Sequence, residues 1–171
     1  MSTGKPEVRT QIVIATLAER SRADLLVRAI RSVCDQGASA IVVINGSRFD
    51  AGLRERLGAM DGISLIYVEQ PGFPNAVMVG RNAVTAAYFG FLDDDDYLLP
   101  GSIALREGYL DAHPEADVVV TNGIREEFSG NQQLYESEAE VDRIRSDPLS
   151  AILQRNWMTP CGPLYRAASV P

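Results

Sequence analysis

The chain has 171 residues, 46% of them apolar and 23% charged, with a net charge of −7 and two cysteines. Those proportions fit a single globular domain and exclude a disordered tail, a collagen-like repeat or a disulfide-stapled mini-protein. Residues 1–60 hold nine basic and six acidic side chains and residues 61–171 seven and seventeen, so the basic footprint of a nonspecific nucleic-acid binder is missing and the later part suits cations.

The start, Met1–Arg9, is polar and lacks the apolar stretch of a signal peptide. No apolar run reaches the length of about 18 residues that a membrane span requires, and the expected compartment is the cytoplasm. Gln11–Ala15 reads as a short β-branched strand. Ala23–Asp35 then sets Leu25, Leu26, Ala29, Ile30, Val33 and Cys34 on one helical stripe. Ala40–Ile44 is a second buried strand, stopped by Asn45-Gly46. Ala51–Met60 reads as a helix with Leu53 and Leu57 inward, and Ile63–Val68 as a third strand. Gln70–Asn75 is a loop rich in breakers, followed by a small-residue helix over Val79–Ala87. Tyr88–Leu92 is a fourth strand that runs into four aspartates. Pro100–Ala112 reads as a helix with proline near its start, and Asp117–Thr121 as a fifth strand. Beyond it, Glu126–Leu134 suggests a hairpin and Asp147–Arg155 a helix.

Strands apolar along their whole length, alternating with helices, predict an α/β fold: a mostly parallel sheet covered on both faces. Such sheets bind ligands outside the carboxyl ends of their strands. Asp93, Asp94, Asp95 and Asp96 fall at that edge. Four adjacent carboxylates repel one another, and a hard divalent cation such as Mg²⁺ or Mn²⁺ removes that penalty. In an extended backbone Asp93 and Asp95 would face the same way. The same acidic turn also suits the dipole of the helix that follows. Thr16 and Asn45 end the first two strands and would line the same crevice, although both are also ordinary turn and cap residues. Arg81, placed after the loop and near the start of a short helix, would offer a planar fork to phosphate oxygens, or lie free on the surface.

Cys34 and Cys161 sit among small or apolar residues and read as reduced core thiols, with no Cys/His cluster for zinc. The one histidine, His113, precedes Pro114 at a helix end and has no paired nucleophile, which argues against a hydrolase triad. Trp157 reads as a core residue or a sugar-stacking surface. No Walker motif is present. The first strand also lacks the DxDxT pattern of aspartate-based phosphoryl transfer, and no glycine-rich loop follows it as in nucleotidyltransferases.

The segments VIAT (Val13–Thr16), RAIRSVCDQ (Arg28–Gln36), VVINGS (Val42–Ser47), GRNA (Gly80–Ala83) and FLDDDDYLLPGSI (Phe91–Ile103) together resemble the donor-binding part of inverting glycosyltransferases of family 2. The likeness runs over Val8–Asn122. It implies a Rossmann-like GT-A fold, an α/β/α sandwich, with residues 1–122 binding a nucleotide sugar and 123–171 beginning the acceptor side. By that resemblance Ala15, Thr16 and Asn45 would contact the base and Arg81 the ribose or diphosphate. Asp93 would sit by the ribose and Asp95 on the Mg²⁺ or Mn²⁺, with Asp94 and Asp96 in support and Asp93 or Asp96 as further metal ligands. The partners implied are a UDP-, dTDP- or GDP-linked donor and a hydroxyl acceptor, with inverting, metal-assisted transfer. The sequence departs from the family in four ways. Asn45 replaces an aspartate, Leu17-Ala18 replaces Tyr-Asn in a longer loop, and the stretch Asn82–Phe91 is short. The late acidic motif that supplies the catalytic base is not found before Pro171. The expectation is therefore a piece of a longer chain, with a non-catalytic nucleotide- or partner-binding domain as the alternative.

Overall fold

The computed structural model describes residues 8–127 and 129–170. Most of the polar start and Phe128, within the expected hairpin, lie outside that range. Strands β1 (Thr10–Thr16), β2 (Ser39–Asn45), β3 (Ile63–Val68), β4 (Tyr88–Phe91), β5 (Val118–Val120) and β8 (Pro163–Arg166) form one sheet, and β6 (Ile124–Glu126) pairs with β7 (Gln132–Leu134) in a hairpin. The large sheet has the order β3-β2-β1-β4-β8-β5. Its first four strands run parallel, with Ile14 opposite Val42, whereas β8 is antiparallel to both β4 and β5. This is the expected α/β sandwich with a mostly parallel sheet.

The alternation of strand side chains sorts the core into two layers. Ile12, Ile14, Val42 and Ile44 meet α1 (Ala23–Cys34) and α2 (Ala51–Gly58) through Leu26, Ile30, Val33, Leu53 and Leu57, together with Ile103 and Leu110 of α4 (Ser102–Ala112). Val13, Ile41 and Val43 pack on the other face against Ala76 and Val79 of α3 (Phe73–Asn82). Strand order explains the division. The β1-α1-β2-α2-β3 path steps outward across the sheet, and the return from β3 to β4 reverses direction. A right-handed crossover must then put α3 on the opposite face. The reversal leaves a switch point between β1 and β4, where open α/β sheets form their ligand crevice.

Several expectations are corrected. On α1 Leu25 points to solvent while Val27 is buried. The helix expected at Val79–Ala87 is α3, which begins earlier and ends at Asn82. Pro74 sits in its first turn, where a missing N–H costs nothing, so the proline starts the helix instead of breaking it. The tail forms two helices, α5 (Glu138–Ser146) and α6 (Pro148–Gln154), and α5 was not anticipated. Ser137 and Asp147 cap them by accepting hydrogen bonds from Glu140 and Ser150 N–H. Strand β8, also not anticipated, inserts between β4 and β5. Both cysteines are free and pack at the edge of the larger core layer. Among the described residues no helix is long and apolar enough to cross a membrane.

Candidate functional site

Strand β4 delivers the aspartate run to the switch point. Leu92, buried just beyond the strand, donates its N–H to the carbonyl of Val13 at 3.0 Å and pins the exit to β1. The backbone then turns: Asp96 N–H donates to the carbonyl of Asp93 at 3.2 Å. The extended arrangement that would align Asp93 with Asp95 is therefore replaced by a turn with Asp94 and Asp95 at its corners. Loss of water raises the Asp93 carboxyl above its ordinary range, and Asp96, Asp95 and Asp94 raise it further, in that order. Asp96 is raised by the same loss of water and by Asp95. Negative charge is thus concentrated in one place, as carboxylates sharing a site require.

Two arginines answer that charge. Arg22, in the turn Arg20–Arg22 between β1 and α1, bonds Asp94 and reaches Asp95 Oδ2 at 3.0 Å. The bond to Asp94 is the main reason its guanidinium pKa is raised. Thr16 Oγ1 donates to the other Asp94 oxygen at 2.5 Å and accepts from Ala18 N–H at 2.9 Å. Ala18 takes a left-handed φ of 49° to make that contact. Arg28 Nη2 donates to the Asp95 carbonyl at 2.7 Å, and its guanidinium lies 4.5 Å from the ring centre of Tyr97.

A cavity of about 440 Å³ opens beside the turn, with Asp95, Asp96, Tyr97, Arg106 and Cys161 in its wall. Arg106 is only 2% exposed. It donates to the carbonyls of Ser102 at 3.0 Å, Cys161 at 3.0 Å and Gly162 at 3.3 Å, fixing the loop before β8. Burial lowers its pKa. Burial also pushes the Cys161 thiol up, with Asp96 adding to the rise, so this cysteine has no thiolate character.

The sequence-predicted residues divide accordingly. Thr16 and Asp93–Asp96 come together. Thr16 is 4% exposed and spends its hydroxyl on Asp94 and Ala18. Ala15 is half-buried in the α3-side layer, which leaves its backbone as the group nearest the edge. Asn45 is buried at the end of β2, and its Oδ1 accepts from Gly72 N–H at 2.9 Å, holding the loop into α3. Arg81 is the clear correction. It lies in the last turn of α3, where its guanidinium stacks 4.3 Å from the Phe89 ring centre and donates to the carbonyls of Ala167, at 3.1 Å, and Val170. Because α3 runs back toward the amino ends of the strands, that puts Arg81 away from the carboxylates. His113 pairs with Glu115 at 3.0 Å and stacks on Tyr109, outside the crevice. Arg22, Arg28, Tyr97 and Arg106 are site residues that sequence reasoning missed. The basic cluster of the ERSR segment was the one visible signal.

The donor set suits a hard cation, being all carboxylate oxygen with charge in excess of its arginines. Among the described residues, however, no group of three or more such side chains is already gathered around one point. A cation here would need ligand or water oxygens as well.

A family model described as glycosyl transferase family 2 matches residues 11–164. No curated protein matches the chain. Among solved structures, the chain resembles the crystal structure of S. aureus TarS 1-349, with a TM-score of 0.62 at 13% identity over 94% of this chain. It also resembles the crystal structure of S. aureus TarS, with a TM-score of 0.55 at 18% identity over 66% of this chain. The chain spans 48% of the first of these and 21% of the second. At such identities the likeness is one of fold, and that fold is GT-A.

Proposed function

Because the chain belongs to glycosyl transferase family 2, we propose that its carboxylate-lined crevice binds a nucleoside-diphosphate sugar for transfer to an acceptor hydroxyl with inversion. The observation that carries this reading is the aspartate turn at the β1/β4 switch point, tied to β1 through Thr16 and Asp94. Residues up to Asn122 form the donor side in this reading and later residues begin the acceptor side. The base would stack at the carboxyl ends of β1 and β2, against the Ala15 backbone and the Asn45 amide, whose Nδ2 is not used on Gly72. Asp93 would take ribose hydroxyls.

Asp95, with Asp93 or Asp96, would hold Mg²⁺ or Mn²⁺. Bound there, the cation would stabilise the charge that develops on the departing diphosphate. Asp94 acts differently: it is committed to Thr16 and Arg22 and keeps the turn in place. Arg106 holds the far wall of the cavity through the Cys161 and Gly162 carbonyls. The attacking hydroxyl must still lose its proton in the transition state, and that base is not assigned to a residue here.

A thermal-shift panel of UDP, dTDP, GDP and CDP, each with Mn²⁺ and again with EDTA, tests the reading. A ligand at 100 times its Kd stabilises the fold by about 2.7 kcal/mol, which in a chain of this size moves Tm by several degrees. A shift with one diphosphate that needs Mn²⁺ is expected. No shift with any of the four would overturn the donor site.

A further inference from the structure

A second cavity, of about 330 Å³, lies beyond the first and shares Thr121, Asn122 and Thr159 with its wall. Its lining includes Glu136 and Trp157. Glu136 follows β7 and is 6% exposed. The Asn122 side chain brackets its backbone, accepting from Glu136 N–H at 3.0 Å and donating to Glu136 O at 2.8 Å. One carboxylate oxygen accepts from Arg155 at 2.5 Å. The other, Oε1, is buried and has no partner among the described residues, and neither does the buried indole N–H of Trp157.

We infer that this cavity is a subsite for a neutral, hydroxyl-rich ring, the saccharide unit of an acceptor; the inference rests on the reading of the chain as a sugar transferase. A buried acceptor and a buried donor left without protein partners are both costly. Hydroxyl groups answer both needs, because each can donate to Glu136 Oε1 while accepting from Trp157 N–H. Charge selects the same class. Arg155 already balances Glu136, so a cation gains little, and an anion would face the free carboxylate oxygen. The indole and the neighbouring Tyr135 ring offer apolar faces for the C–H side of a sugar ring, and the volume falls in the usual range for small-molecule sites. The shared wall leads from this subsite to the aspartate turn.

Trp157 is the chain's one tryptophan, so its emission reports on this cavity. Titration of the whole chain with N-acetylglucosamine and with methyl glucoside is expected to give a saturable change in that emission. Sodium acetate, the charged probe, is expected to give none. Glu136→Gln, which retains the shape of the side chain, is expected to weaken the sugar response about tenfold, the loss of one charge-assisted hydrogen bond. Its Tm shows whether it is folded, and Glu136→Asp supplies a second variant that keeps the charge while withdrawing the oxygen. No saturable change with either sugar, or an equal response in both folded variants, overturns the inference. The UDP, dTDP, GDP and CDP panel with Mn²⁺, run on the same protein, separates the two failures. A diphosphate response without a sugar response removes the subsite alone, and a Glu136-dependent sugar response without a diphosphate response supports the cavity and removes the donor site.

Discussion

Thr16 Oγ1 lies 2.5 Å from Asp94 Oδ2, which joins the last residue of β1 to the carboxylate run that follows β4. The two strands are parallel neighbours. Their carboxyl ends meet where the strand order reverses, so this one bond closes the floor of the crevice. Thr16→Val keeps the shape and removes the hydroxyl. The buried Asp94 oxygen and Ala18 N–H then lose a partner, at a cost of about 1–3 kcal/mol. A Tm lowered by about 2–4 °C for each kcal/mol is expected in a chain of this length, and Thr16→Ser should restore most of it.

Arg22 occupies two of the carboxylates of the run, Asp94 and Asp95. A divalent cation and this guanidinium therefore oppose one another for Asp95. Arg22→Ala is expected to tighten Mn²⁺ binding to the ligand-free chain by about tenfold, the order expected for removing one nearby positive charge. Free Mn²⁺ measured by electron paramagnetic resonance checks this. Unchanged or weaker binding would show that Arg22 does not compete for the site.

Asp93 carries a raised pKa, caused by loss of water and then by Asp96, Asp95 and Asp94, with Arg22 the opposing charge. Its folded value lies above its unfolded one, so its protonated form favours the fold. That contribution is complete below the ordinary value of 3.8 and is lost as pH rises through the raised folded value. Asp93→Asn should therefore raise Tm at neutral pH and flatten the fall in stability above the ordinary carboxylate range. Thermal unfolding across pH 4 to 8, roughly the range where such linkage acts, measures it.

Gly80 of α3 has no room for a side chain: an added Cβ would stand 2.3 Å from Val13 Cγ1 and 3.1 Å from Val43 Cγ2. Gly80→Ala forces the helix off the sheet and should cost about 1–3 kcal/mol. Gly108, in α4, meets nothing within 4 Å. Gly108→Ala should stabilise by about 0.4–1 kcal/mol through the unfolded chain. Urea unfolding of the pair separates packing from helix propensity.

The parallel half of the fold was legible because β1, β2 and β3 are β-branched runs whose burial depends on nothing distant. The register of α3 was not. Pro74 looks the same in a sequence whether it ends a segment or opens a helix, and that choice moved Arg81 from the first turn to the last, onto Phe89 and the Ala167 carbonyl. Strand β8 escaped for a different reason. Its place between β4 and β5 is set by pairing with residues more than 40 positions away, which leaves no local pattern. In the site, the aspartates were visible as a motif, while their counter-ion Arg22 was not, since only the folded loop brings it 72 positions along the chain to Asp94.

Calorimetric titration of UDP, dTDP, GDP and CDP with Mn²⁺, into the unaltered chain and into Asp93→Asn/Asp95→Asn, tests the donor site most directly. One diphosphate should bind the unaltered chain, and the double variant should bind it more weakly by about tenfold or more, a difference of at least 1.4 kcal/mol. Equal affinity in the double variant, or no binding by any of the four, would contradict the account.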